Sequence, residues 1–294
     1  MKPSKISSLC MAVGLALAGG SAAVAEIKIS SVDGKFDMKL GGRVQVDATW
    51  YDEDNVNLDG ENGTEFRRAR LFVQGTMYDV WNYKAQYDFA GNGTDMKDAY
   101  IGYTGFKPVK LKIGQFKQPF GLEELTSSKY ITFMERALPN AFAPGRSLGI
   151  GLQSWGEKWT AAFGVFGEGY DDDPNIKEGD EGWGVTARFT YAPILSDRKL
   201  LHVGIGMTHR EPDDEGTVKF DARPESHITD VKYVNTGPQV TNVDDYCRYG
   251  GELAFVYGPI SVQGEYIHAE VRCQSGQPDV GFDGYYIYGS WFIT

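Results

Sequence analysis

Met38-Lys39-Leu40-Gly41-Gly42-Arg43-Val44-Gln45-Val46-Asp47-Ala48-Thr49-Trp50 is the stretch whose reading decides the fold. Its even positions, Met38, Leu40, Gly42, Val44, Val46, Ala48 and Trp50, are apolar or small, while the odd ones are Lys39, Gly41, Arg43, Gln45, Asp47 and Thr49. Successive side chains on an extended backbone point to opposite faces, so this period of two gives a strand with one apolar and one polar face and an aromatic at its end. The pattern recurs downstream. Ala69, Leu71, Val73, Gly75 and Met77 oppose Arg68, Arg70, Phe72, Gln74 and Thr76. Tyr83, Ala85, Tyr87 and Phe89 oppose Asn82, Lys84, Gln86 and Asp88, and shorter alternations follow at 98–103 and 109–113. Seven more strands are predicted near 147–155, 158–167, 183–191, 200–210, 248–257, 260–270 and 282–292, which makes twelve.

The connections between these strands alternate in length. Asp79-Val80, Gly105-Phe106-Lys107-Pro108, Gly156-Glu157 and Gly258-Pro259 are tight, whereas those near 52–64, 116–146, 168–182, 211–247 and 271–281 are long, with Gly91-Asn92-Gly93-Thr94 as a short exception. Short turns on one side, long loops on the other and amphipathic spans of about ten residues describe an all-β transmembrane antiparallel β-barrel of the porin type, lipid on one face and water on the other. A soluble Greek-key protein shares the alternation but not the paired loop lengths.

Composition agrees with this architecture. The 294 residues include 37 Gly and 39 Phe, Tyr and Trp, which suits many short strands and turns and excludes disorder and collagen. With 29 Lys+Arg against 40 Asp+Glu the net charge is -11, the wrong sign for a nucleic-acid partner. Lys2 and Lys5, the apolar run Leu9 to Leu17 and the small-x-small site Ala23-Val24-Ala25 read as a secretory signal over residues 1–25, whose two lysines take the charge to -13 when removed. Gly19, Gly20 and Ser21 interrupt the run before it could anchor, and no later stretch is long and apolar enough for a membrane helix. The excess acid sits in predicted loops, at Asp52, Glu53, Asp54, Asp59 and Glu61, at 171–181, and at Glu211, Asp213, Asp214 and Glu215. On the polar strand faces the balance reverses, with Arg43, Arg68, Arg70, Lys84, Lys110, Lys112 and Arg188 against Asp47, Asp88, Asp98, Glu252 and Glu265.

Several ordered motifs carry a family resemblance. They are Phe66-Arg67-Arg68-Ala69-Arg70-Leu71, Trp81-Asn82-Tyr83-Lys84-Ala85-Gln86-Tyr87-Asp88-Phe89, Asp98-Ala99-Tyr100-Ile101-Gly102-Tyr103, Ile113 to Glu123, Phe133-Met134-Glu135-Arg136 and Gly145-Arg146. Together they make the mature chain, 26–294, resemble the phosphate-selective porin O/P family of Gram-negative outer membranes. The resemblance implies a sixteen-stranded homotrimeric barrel in outer-membrane lipid, a third external loop (116–146) folded inward to narrow the pore, and basic side chains along the path of small inorganic anions such as phosphate or polyphosphate. Ending at Thr294 after twelve strands, the chain is expected to lack the family's last strands, and few cations lie between Arg188 and Arg210.

Arginine suits such a path because its planar fork hydrogen-bonds a phosphate twice and keeps its charge, and conduction needs several weak sites. By resemblance Arg43, Arg67, Arg68 and Arg136 form the constriction, Asp98 holds their geometry, and Arg70, Lys117 and Lys129 also line the pore. Adjacent side chains on a regular strand diverge, so Arg67 or Arg68 must lie at the rim or on a bulge.

Other chemistries have less to stand on. His202, His209, His227 and His268 show no His-x-x-x-His spacing, so no metal, cofactor or catalytic group is expected. Asp244-Asp245 could evoke a hydrolase at the barrel rim, but acids in exposed loops need no catalytic reason. Cys247 and Cys273 remain after signal removal, an even number in an oxidising compartment, so a disulfide between them is an open alternative. The alternatives to an anion channel are a general diffusion porin and, more remotely, that rim hydrolase.

Overall fold

The computed structural model describes residues 27–51, 61–91, 93–169, 181–224, 226–237, 240–274 and 276–293. The predicted signal and loop acids such as Asp52, Glu53, Asp54, Asp59, Asp171, Asp172 and Asp173 lie outside them. In chain order the strands are β1 (Ile27–Ser30), β2 (Phe36–Thr49), β3 (Gly63–Met77), β4 (Trp81–Asp88), β5 (Asp95–Tyr103), β6 (Val109–Lys117), β7 (Arg146–Trp155), β8 (Trp159–Phe166), β9 (Trp183–Ser196) and β10 (Lys199–Glu211). There follow β11 (Asp221–Ala222), β12 (Val234–Asn235), β13 (Val243–Tyr257), β14 (Ile260–Cys273) and β15 (Val280–Trp291). Each of the twelve predicted strands has its counterpart among β2–β10 and β13–β15. Sequence reading missed β1, too short at four residues for a period to show, and the two-residue pair β11 and β12 inside the long 211–247 connection.

Thirteen strands form one sheet of order β1-β2-β3-β4-β5-β6-β7-β8-β9-β10-β13-β14-β15, and β11 and β12 form a separate small one. Neighbours pair antiparallel, the arrangement that the two-residue turns between β9 and β10 and between β13 and β14 permit. The predicted faces are present. Val44, Val46, Leu71, Ile113, Ile205 and Ile287 are exposed, whereas Asp47, Thr49, Asp88 and Glu252 on the opposite face are buried. Exposed Trp81, Trp155, Trp159, Tyr191, Tyr257 and Trp291 gather beside the tight turns, where an aromatic girdle belongs. No helix among the described residues is long and apolar enough to cross a membrane.

The sheet is curled rather than flat. β3 and β15 stand ten strand steps apart, roughly 48 Å in a flat sheet at about 4.8 Å per step. Yet Glu135 binds Arg67 and Arg68 of β3, and Phe133, two residues earlier, has its ring 5.6 Å from that of Tyr288 in β15. Two residues reach only about 7 Å, so the wall must wrap around the segment that carries them.

That segment, between β6 and β7, packs against the polar face. It holds one helical turn, α1 (Leu122–Leu125), and a 3₁₀ turn at Leu138–Phe142. Gly121, at φ 71, turns the chain into α1, whose first backbone N–H groups, Leu122 and Glu123, donate to the Glu265 carboxylate at 2.5 and 2.8 Å. Phe120 and Phe142 enter a buried cluster with Phe220 from the 211–247 connection, Val243 and Tyr246 of β13, and Ile267, Ala269 and Val271 of β14. Gly250 leaves room for Phe120, since a Cβ there would meet the ring's Cζ at 2.8 Å. Each large side chain so buried contributes roughly 1.5–3 kcal/mol.

Candidate functional site

A cavity of about 790 Å³ opens on the other side of the segment, between it and the polar face of β2–β6. Its lining includes eleven Lys and Arg residues against four Asp and Glu, so the local charge is opposite in sign to that of the chain.

The first arginines reach it through a register shift. Gln45 pairs with Arg68 and Val46 with Phe66, which leaves Arg67 as the extra residue of a β-bulge. The bulge settles the conflict between adjacent arginines, because both guanidiniums now reach Glu135. Arg67 donates through Nε and, at 3.0 Å, through Nη2, and Arg68 Nη2 lies 3.4 and 3.3 Å from the two carboxylate oxygens. Arg68 also donates to Gln45 Oε1 at 2.9 Å and is only 2% exposed. Burial favours the neutral acid at Glu135, but the Arg67 hydrogen bond and the charges of Arg67 and Arg68 outweigh it and hold the carboxyl below its ordinary range.

Further ion pairs staple the wall. Arg70 Nε donates to Asp88 at 2.6 Å, with the Ala69 backbone N–H on the other oxygen at 2.9 Å. Asp98 takes Lys84 at 2.5 Å and Arg146 at 2.8 Å, so it holds those two residues and not the constriction arginines that sequence reading had assigned to it. Lys117 reaches Glu124 at 2.7 Å. Arg136 also faces Glu124, at 3.4 Å, but spends its N–H groups on the carbonyls of Glu123, Glu124 and Thr126, which ties α1 to the chain that follows. The Glu124 carboxyl is pushed up by burial and held down more strongly by Lys117 and Arg136, leaving it below its ordinary value.

Three basic residues of the cavity differ from these. Among the described residues no carboxylate lies within 4 Å of Arg43, Lys112 or Lys129. Arg43 donates to Ser128 Oγ, and the Lys112 ammonium sits over Tyr100 and Phe116 at 4.7 and 5.3 Å from the ring centres. Lys129 is exposed at the cavity edge. The rim carries a residue that sequence reading passed over, His227, whose Nδ1 lies 2.9 Å from Glu65 Oε2, while the neighbouring Ser226 meets Thr49 at 2.9 Å. Lys84, Lys112 and Arg146 also line the cavity, and their places on the polar face or beside the loop were the available signal.

Cys247 and Cys273 are free thiols, against the disulfide alternative. Cys247 pairs with Glu270 and Cys273 with Val243, so the two thiols are offset by three residues, about 10 Å along the strand, and face opposite sides. A disulfide needs Cα atoms within about 7 Å.

Comparison with known proteins agrees with this architecture. The family model described as phosphate-selective porin O and P matches residues 38–294. Porin O of Pseudomonas aeruginosa is 29% identical over 300 residues, covering 91% of this chain and 67% of its own length. An uncharacterized protein of Caulobacter vibrioides is also 29% identical, covering 89% of this chain; this chain spans only 54% of that relative. Among solved structures, OmpT, an outer membrane protein of Vibrio cholerae, superposes with a TM-score of 0.56 at 12% identity, over 93% of this chain and 74% of that one, a likeness of fold alone.

Proposed function

Since this chain belongs to the family of phosphate-selective porins O and P and is an outer-membrane porin, we propose that it passes small inorganic anions of the phosphate class through a water-filled barrel, with the basic cavity as its narrowest part. The observation that carries the reading is the lining of eleven cations against four acids around about 790 Å³, in a chain whose overall charge is -11. Arg43, Lys112 and Lys129 act as the contact sites, because their charges are not already spent on a carboxylate. Each offers an anion donors that replace part of its hydration, and none is deep enough to trap it. Arg67, Arg68, Arg70, Lys117 and Arg136 supply field rather than contact, since an ion reaching Arg68 would have to displace Glu135. Asp98 has the same supporting role toward Lys84 and Arg146. We take the unit to be residues 26–294 with the inward segment 116–146, assembled as a homotrimer.

A general diffusion porin is the second reading. It draws on the number of cavity cations already matched by Glu135, Asp88, Asp98 and Glu124, which weakens any dense basic ladder. Chloride current through the reconstituted protein separates the two. Inorganic phosphate in the millimolar range reduces that current if the cavity binds phosphate, and leaves it unchanged beyond the effect of ionic strength in a general pore. Membership of a porin family supports a channel over the rim hydrolase.

A further inference from the structure

Pairing of β10 with β13 brings His209 to two residues that follow it 36 and 38 positions later, Asp245 and Cys247. His209 pairs with Cys247, and Asp245 lies two residues before Cys247 on the same face. This is the outward face, shared with exposed Ile205 and Met207 on β10 and with Tyr249 and Leu253 on β13. It lies at the end where both strands enter the long 211–247 connection, the external side by loop length. One ligand atom from each of His209, Asp245 and Cys247 falls within 4.8 Å of the others. His209 Nδ1 is 3.4 Å from Cys247 Sγ and 3.9 Å from Asp245 Oδ1.

We propose that His209, Asp245 and Cys247 form a binding site for a borderline first-row dication, with Zn²⁺ the best match. Tetrahedral zinc with bonds of about 2.0–2.3 Å separates its ligand atoms by roughly 3.3–3.6 Å. The imidazole and thiol already stand at 3.4 Å, whereas the Asp245 carboxylate, 3.9 Å from His209 and within 4.8 Å of the thiol, has to swing in by about 0.5 to 1.3 Å, the reach of a side-chain rotation. A thiolate, an imidazole and one carboxylate oxygen are the donors zinc selects, and they leave a fourth position for water. Calcium and magnesium would need six or more oxygens. Two further observations support a ligand here. Asp245 Oδ1 is buried without a hydrogen-bond partner and faces His209 at 3.9 Å, while Arg272 stands 3.5 Å from the other oxygen. Cys247, 7% exposed, is a shielded thiol that would release its proton to solvent as the metal binds.

Cobalt titration of the untagged full chain in detergent, reduced and freed of chelator, tests the site. About one equivalent of Co²⁺ should give a thiolate-to-metal charge-transfer band that Zn²⁺ abolishes by displacement. Cys247→Ser should remove the band, His209→Ala should weaken binding at least about tenfold, and Cys273→Ser should leave the band intact. Should Cys247→Ser not fold, Zn²⁺ protection of the thiol of Cys247 from alkylation in the Cys273→Ser chain decides instead. Absence of the band in the unaltered chain, its survival in Cys247→Ser, its loss in Cys273→Ser, or no protection would each overturn the proposal.

Discussion

Two arcs of the wall carry the same alternation and put their inward faces to opposite uses. Along β2–β6 that face is charged and open, presenting Arg43, Arg70, Lys84 and Lys112 to the cavity. Along β13–β14 it is partly apolar and filled, with Tyr246, Ile267, Ala269 and Val271 under Phe120, Phe142 and Phe220. The inward segment thus has a greasy side bonded to one arc and a charged side facing the other. An alternating strand fixes which residues point inward, but what meets them decides whether that face is a channel or a core.

Removing the filled side should have the greatest consequence. Phe120→Ala deletes a fully buried ring, at a cost of about 3–5 kcal/mol. The segment then loosens, seen as faster proteolysis between β6 and β7 and a noisier, larger single-channel current. An unchanged current would show that the segment does not bound the pore.

The outward face comes next. Val44→Arg places a charge on the face opposite Arg43 and should destabilise insertion by roughly 2–4 kcal/mol near the midplane, measured by folding into lipid vesicles. Thiol labelling gives the same contrast at no energetic cost, a cysteine at 43 reacting with membrane-impermeant reagents and one at 44 remaining inert. The reverse pattern would invert the register.

The clamp between the arcs should respond to acid. Because the Glu135 carboxyl lies below its ordinary value of 4.5, its contribution is complete above that value and is lost as pH falls through the lower folded-state value. Protease protection of the segment should therefore hold steady from pH 7 to pH 5 and fall only in stronger acid. Loosening already near pH 6 would contradict Glu135 as the group that holds the segment. Glu135→Gln should mimic acid at neutral pH, with a smaller effect than Phe120→Ala.

The strands were legible because a wall between lipid and water imposes period two on every span, and Met38 to Trp50 alone shows it. The inward arginines were legible for the same reason, as was the need for a bulge at Arg67 and Arg68. Their partner was not, because Glu135 is 68 positions from Arg67 and only the path of the segment joins them. Asp98 was assigned to the wrong cations, since register across β4, β5 and β7 places Lys84 and Arg146 on it. Ile267, Ala269 and Val271 turn apolar side chains inward, which makes sense only once Phe120 and Phe142 cover them. The thiols call for the same register knowledge, which two cysteines in a sequence do not carry.

The reversal potential of the reconstituted protein across a potassium chloride gradient tests the basic cavity most directly. Charges in contact with an ion should outweigh those of the loop acids, whose field salt screens over a Debye length of about 8 Å at physiological strength. The expected sign is therefore anion preference, despite the chain's charge of -11. Arg43→Ala with Lys112→Ala should lower the anion-to-cation permeability ratio by up to about fivefold, the weight of roughly 1 kcal/mol for unit charges about 4 Å apart in water. Neutralising Asp213, Asp214 and Glu215 should change it less. Cation preference that persists unchanged in Arg43→Ala with Lys112→Ala would contradict the basic cavity as the selective element and leave a general diffusion pore.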